Sequence, residues 1–141
     1  MSKELKPEDF ENELEYVEAE LGLLIHEKHY ELNEDGKILR LMIHGKGISK
    51  IDFIANLTLL TELYLDSNQI QDIQALSKLT KLTKLKFDFN QIQDIQVLSN
   101  LTSLTTLSLY KNQIQDIQAV SELTSLTELN LSQNKIQDVS A

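Results

Sequence analysis

The heptapeptide Asn68–Gln74 reads NQIQDIQ, recurs at Asn90–Gln96 and Asn112–Gln118, and returns as NKIQDVS at Asn134–Ser140, at an interval of 22 residues each time. A unit of that length cannot bury its own apolar face. It becomes stable only when copies stack into one lengthwise core. The full copies run Leu57–Lys78, Leu79–Asn100, Leu101–Glu122 and Leu123–Ala141. One more step back gives Asp35–Asn56, which looks unrelated until its apolar positions are compared. Ile38, Leu41, Ile43, Ile48, Ile51 and Ile54 fall in the slots of Leu60, Leu63, Leu65, Ile70, Ile73 and Leu76. This is a disguised first unit, and the array holds about four and a half of them.

Within each unit the period changes. Leu63 and Leu65 alternate with Glu62, Tyr64 and Asp66, the pattern of a short strand with one face inward. Equivalent strands are expected at Lys84–Asp88, Thr106–Tyr110 and Glu128–Ser132. Asn68, Asn90, Asn112 and Asn134 follow the strands, where a carboxamide satisfies backbone groups as the chain bends inward. Asp72, Asp94, Asp116 and Asp138 each precede an Ile or Val, a position suited to capping a short helical turn. Both sets are expected to build the scaffold.

The pattern LxxLxxLxLxxNxIxDI resembles the leucine-rich repeat, in the 22-residue variety of phosphatase-regulating and internalin-like proteins, from Ile38 to Val139. The resemblance implies an α/β solenoid: a right-handed superhelix with a parallel sheet on its concave side and short helical or extended turns on its convex side. It also implies protein binding on the concave face, by no particular partner.

The two ends differ. Pro7 opens a helical pattern, with Phe10, Leu14, Val17 and Leu21 on one face and Gly22 as its stop. His29–Leu32 and Lys37–Ile43 flank Asn33–Gly36, which reads as a hairpin turn. Residues 1–37 are thus expected to form an N-terminal helix and hairpin cap, followed by repeats over 38–141. At the other end, Leu126, Leu129, Leu131, Ile136 and Val139 belong to a coil with no closing element after it. A homodimer through this uncapped coil is therefore expected, or else the chain is a fragment of something longer.

Charge and motif content narrow the function. Residues 1–37 hold 4 basic and 12 acidic residues, and 38–141 hold 9 and 10. The net charge of −9 therefore sits mostly at the N-terminus, and no basic stripe exists to follow a phosphate backbone. Nucleic acid is not an expected partner. Nor is a membrane, because no apolar stretch approaches the roughly 20 residues of a membrane helix. With no cysteine and no secretory leader, a cytoplasmic location is expected. There is no Gly-rich phosphate loop, HExxH, nucleophile elbow or cysteine–histidine grouping, so no cofactor and no catalysis is expected. His26 and His29 lie three apart, a spacing that permits a shared metal on a helix, although cap surface is the plainer reading. His44 shares a lateral row with Asp66 and Asp88. Three such groups on adjacent strands suit a metal or an acid–base pair, but the row faces solvent and nothing excludes water from it.

The binding surface is better marked. Turn positions scarcely vary between units, whereas the strand positions do. Tyr64, Lys86, Ser108 and Asn130 occupy one slot, and Ser67, Phe89, Lys111 and Gln133 another. Met42, His44, Tyr64, Asp66, Lys86, Asp88, Phe89 and Tyr110 are the candidate binding residues, with Met42, Tyr64, Phe89 and Tyr110 as anchors, since aromatic groups dominate binding hot spots. Arg40, Glu62 and Lys84 alternate in sign along another row and are expected to pair across strands. The reading is a non-catalytic module that binds a protein or peptide on its concave face. Two alternatives stay open: an arm of a larger protein such as a repeat-linked GTPase, and an engineered consensus repeat without a natural ligand.

Overall fold

The computed structural model describes residues 4–137; Asp138 and Val139, expected as a turn cap and a core residue, lie outside them. Six strands form one sheet in chain order: β1 Tyr30–Leu32, β2 Ile38–Met42, β3 Glu62–Tyr64, β4 Lys84–Lys86, β5 Thr106–Ser108 and β6 Glu128–Asn130. The first pair is antiparallel and joined through the Asn33–Gly36 turn; the other pairs are parallel. Leu41, Leu63, Leu85, Leu107 and Leu129 are directly paired across β2–β6, one 22-residue step apart from strand to strand. That register makes Asp35–Asn56 a true first coil. After each of β2–β5 the chain runs through a loop, makes a short 3-10 turn, and returns to the next strand. The result is an α/β solenoid.

Each coil delivers its leucines and isoleucines to the same slots. Leu60, Leu63, Leu65, Ile70, Ile73 and Leu76 are all sealed from water, as are Ile38, Leu41, Ile51 and Ile54 one coil earlier. At about 1.5–3 kcal/mol per buried side chain of this kind, the stacked core is the main source of stability. Burial fades toward the C-terminal end, where Ile117, Val120, Leu126 and Leu131 are only partly buried and Leu129 and Ile136 are exposed.

The strands are three residues long on β3–β6, shorter than the alternation suggests. Beyond them the ladder continues as isolated backbone bonds, such as Leu65 N–H to Lys86 O and Ser67 N–H to Asp88 O. The aspartates act one place earlier than a helix cap. Asp72 Oδ1 accepts the Gln74 N–H at 2.8 Å, and Asp94 and Asp116 repeat the contact at 2.9 Å. This is an Asx turn that starts the 3-10 segment.

At the N-terminus the helix begins later than Pro7. Pro7–Asp9 is a single 3-10 turn, Phe10 is extended, and α1 spans Glu13–Leu21. Asn12 sets the start, its Oδ1 accepting the Glu15 N–H at 2.9 Å. Gly22 ends the helix in the left-handed region at φ 66°. Val17 is fully buried, and so is Tyr16, which the Phe10–Leu14–Val17–Leu21 pattern leaves off the inner face. Asn56 of the first coil donates to the Tyr16 hydroxyl at 2.9 Å. Glu13 is buried as well: its carboxylate accepts the Ile38 N–H at 2.7 Å, with Lys37 Nζ at 3.9 Å. Burial pushes the Glu13 pKa up, against the opposing pull of those two partners. No helix among the described residues is long and apolar enough to cross a membrane.

Candidate functional site

Side chains that point away from the core on β2–β6 form the exposed face of the sheet, and three polar ladders hold this face in register. The first ladder is asparagine. Asn90 Nδ2 donates to Phe87 O (3.0 Å) and Asp88 O (3.2 Å) of its own coil and to Leu65 O (3.1 Å) of the preceding one. Its Oδ1 accepts the Ile70 N–H at 3.0 Å. Asn68, Asn112 and Asn134 repeat the arrangement. The sequence suggested a turn residue; the structure adds that each asparagine also fastens two successive coils.

The second ladder is threonine. Thr61, Thr83, Thr105 and Thr127 each donate a hydroxyl to the carbonyl 22 residues back, at 3.0–3.2 Å. Nothing in the sequence reading singled them out, although their strict spacing was visible. The third is aspartate, in the row whose spacing suits a metal or an acid–base pair. Asp66 Oδ1 accepts the Asp88 N–H at 2.8 Å, and Asp88 Oδ1 accepts the Tyr110 N–H at 2.9 Å and the Ser108 hydroxyl at 2.6 Å. The carboxylates lie along the sheet, satisfying backbone donors beyond the strand ends. His44 Nδ1 sits 3.8 Å from Asp66 Oδ2. Burial raises the Asp66 pKa, opposed by the Asp88 N–H, reinforced by the Asp88 charge, and opposed again by His44 and Lys86. No three metal-ligating side chains converge among the described residues.

The charged row also differs from expectation. Arg40 reaches sideways to Glu31 of β1 (Nε to Oε2, 3.9 Å) and to the Met42 sulfur (3.1 Å). Glu62 takes the Tyr64 hydroxyl at 2.6 Å. Burial and the adjacent Glu62 carboxylate raise the Tyr64 pKa, so its phenol stays protonated and donating. Among the described residues no carboxylate lies within ion-pair distance of Lys84 or Lys86. Next to them the short side chains of Thr106 and Ser108 are buried. The centre of the face therefore presents two ammonium groups without direct ion pairs among the described residues, beside a low floor.

Phe89 and its equivalents are not on strands. Ser67, Phe89, Lys111 and Gln133 lie just past the strand ends with φ of 56–59°, the left-handed region, where the first coil uses Gly45. A residue with a side chain there carries strain of about 1–2 kcal/mol that glycine escapes. Phe89 is nevertheless a large ring, 48% exposed. It meets Tyr110 edge-on, with centroids 5.3 Å apart and planes at 76°. Lys111 Nζ lies 5.3 Å from the Phe89 centroid and 6.0 Å from that of Tyr110. The geometry is that of a cation over aromatic faces. Of the candidates, Phe89 and Tyr110 thus touch; Tyr64 lies on β3, Lys86 on β4, and Asp66 and Asp88 just past the ends of those strands. Met42 and His44 sit at the other end of the sheet, by β1.

The family described as Leucine Rich repeats (2 copies) matches residues 58–100, 80–124 and 102–141. No curated protein matches the chain. Among solved structures, internalin C2 from Listeria monocytogenes is 40% identical, over 70% of this chain and 45% of that one, with a TM-score of 0.67. A structure of the LRIM1/APL1C complex is 27% identical over 71% of this chain and 20% of that one, at 0.64. The repeat ectodomain of the receptor kinase SOBIR1 from Arabidopsis thaliana superposes at 0.68 over 89% of this chain and 79% of that one, but at 21% identity it shows the fold alone. The chain spans less than half the length of the internalin structures it matches.

Proposed function

The chain belongs to the leucine-rich repeat family, and from that premise we propose a non-catalytic binding module whose partner, a peptide or an exposed protein segment, lies across the concave sheet. The fold as such suits protein binding, and one of the similar structures is of a complex, LRIM1 with APL1C. The single observation that carries the finer reading is Phe89. A bulky aromatic is kept exposed at a backbone position that glycine would occupy without strain, and it is braced by Tyr110 and Lys111. Strain retained at an exposed aromatic is a feature of recognition sites. With Lys84, Lys86 and Lys111 close by, the complementary segment carries an apolar or aromatic side chain next to a carboxylate.

Peptide display panned against the chain tests this. Binders should lose roughly 30-fold in affinity on Phe89→Ala or Tyr110→Ala, the size of a hot-spot loss of about 2 kcal/mol, and less on Tyr64→Ala. Changes at Gln71 or Gln93 should leave them unaffected. The opposite ranking would move the site off the sheet.

A further inference from the structure

The largest departure from the repeat pattern lies where the N-terminal segment meets the first coil. A cavity of about 360 Å³ opens there, between the Leu23–His29 stretch and the end of β2. Its size is within the range of small-molecule sites. Leu23, Ile25, Met42 and Ile43 give it an apolar lining, and Leu24 stands beside them with 88% of its surface in water. The polar part of the wall consists of His26, His29, His44 and Lys46.

That set is unusual for this chain. The protein contains three histidines, and all of them line this one cavity. Acidic residues outnumber basic ones by 22 to 13, yet among the described residues no carboxylate lines it. Four other clefts, between successive turns along the array, each carry at least one aspartate among glutamines. Asp66, which faces His44, also takes the Asp88 N–H, and Glu18 accepts the Ile25 N–H at 2.8 Å; Glu27, between His26 and His29, is exposed and does not line the cavity. His26 Nδ1 accepts the Lys28 N–H at 3.1 Å, so a neutral ring carries its proton on Nε2 and offers a donor.

From this conjunction we propose that the cavity is a binding site for a small apolar carboxylate, of the size of a medium-chain fatty acid or an aryl-alkanoate. The hydrocarbon part lies on Leu23, Ile25, Met42 and Ile43, and the carboxylate meets the imidazole N–H donors and the Lys46 ammonium. A primary ammonium finds no carboxylate partner on the same wall among the described residues. The site takes in Met42 and His44 of the concave candidates but shares no residue with the Phe89–Tyr110–Lys111 cluster that carries the concave reading.

Octanoate serves as the probe, with octylamine and octanamide of equal chain length as controls, in NMR titrations that follow the leucine and Met42 methyls and the histidine ring protons. Octanoate is expected to move Leu24, Met42 and the histidines together, and to bind at least tenfold more tightly than octylamine. Lys46→Gln, which changes only an exposed side chain, is expected to weaken octanoate roughly three- to fivefold. Leu24→Glu places a carboxylate at the mouth of the cavity and should weaken octanoate while sparing octylamine. Phe89→Ala should change neither. Equal binding of octanoate and octylamine would overturn the proposal, as would octanoate shifts that avoid the three histidines, or indifference to both Lys46→Gln and Leu24→Glu.

Discussion

Replacing Asn90 with alanine isolates the ladder that joins the coils. The substitution removes four hydrogen bonds, but their losses are unequal. Leu65 O keeps the Asn68 carboxamide, Phe87 O keeps that of Asn112, and Asp88 O keeps the Ser67 N–H. The Ile70 N–H keeps nothing, because Asn90 Oδ1 is its acceptor and the site is buried. An orphaned buried donor costs about 1–3 kcal/mol, and the weakened carbonyls add about 1 kcal/mol more. A total of roughly 2–4 kcal/mol corresponds to a fall in Tm of about 7–14 °C for a domain of this size. Circular dichroism reads the fall, and amide exchange at Ile70 locates it. Asn90→Asp sharpens the test: it keeps an acceptor for Ile70 but aims a carboxylate oxygen at three carbonyls, so it should be destabilised at neutral pH and partly recover in acid. A Tm within about 2 °C of the parent for Asn90→Ala, with Ile70 still protected, would refute the reasoning.

Three further outcomes follow from other contacts. Glu13 has a folded pKa above its ordinary 4.5, so its contribution to stability is full below that value and is lost as pH rises through the elevated one; Glu13→Gln keeps an acceptor for the Ile38 N–H and should flatten this dependence, and parallel urea-midpoint curves against pH would count against it. Tyr64 should ionise above the ordinary tyrosine range, and Glu62→Gln should lower its pKa by removing a raising charge, read as phenolate absorbance; no change on that substitution would place the cause elsewhere. Leu129 and Ile136, exposed on the last described coil, should drive concentration-dependent association of the 141-residue chain, which Leu131→Glu should suppress in sedimentation runs.

The repeat, the strand register and the asparagine positions were legible because each is a periodic demand that the core repeats from coil to coil. Even the disguised first coil could be read, since Ile38, Leu41 and Ile43 keep the leucine spacing although the surface residues all differ from those of the next coil. Apart from the threonine ladder, whose period was visible but whose hydrogen bonds were not, what escaped was non-periodic or depended on partners distant in sequence. Tyr16 and Glu13 are buried through contacts with Asn56 and Ile38, and no helical pattern announces that. Asn12 delays α1 with a side-chain bond that competes with the Pro7 start. The row of Arg40, Glu62 and Lys84 fits cross-strand pairing on spacing alone, but Glu31 and the Tyr64 hydroxyl offer closer partners. Phe89 was rightly placed among the exposed residues; its left-handed backbone was hidden, because a phenylalanine does not advertise that conformation as a glycine does.

Every polar ladder in the sheet region closes on the adjacent turn, across 20, 22 or 25 residues and no further. A coil therefore carries both halves of the joint that it makes with the next. Cutting out 22 residues, or splicing in 22 more, leaves each threonine facing a carbonyl and each carboxamide facing the same trio of groups. The protein can thus change length without renegotiating its interior, and the near-identical NQIQDIQ stretches are the places where coding DNA would misalign to produce such changes. Each added turn would widen the outward face by one strand spacing, about 4.8 Å. The width of this face is in this way an inherited variable separate from its side-chain chemistry: recombination would set the first, and point substitutions at positions such as 64, 86, 89 and 110 the second.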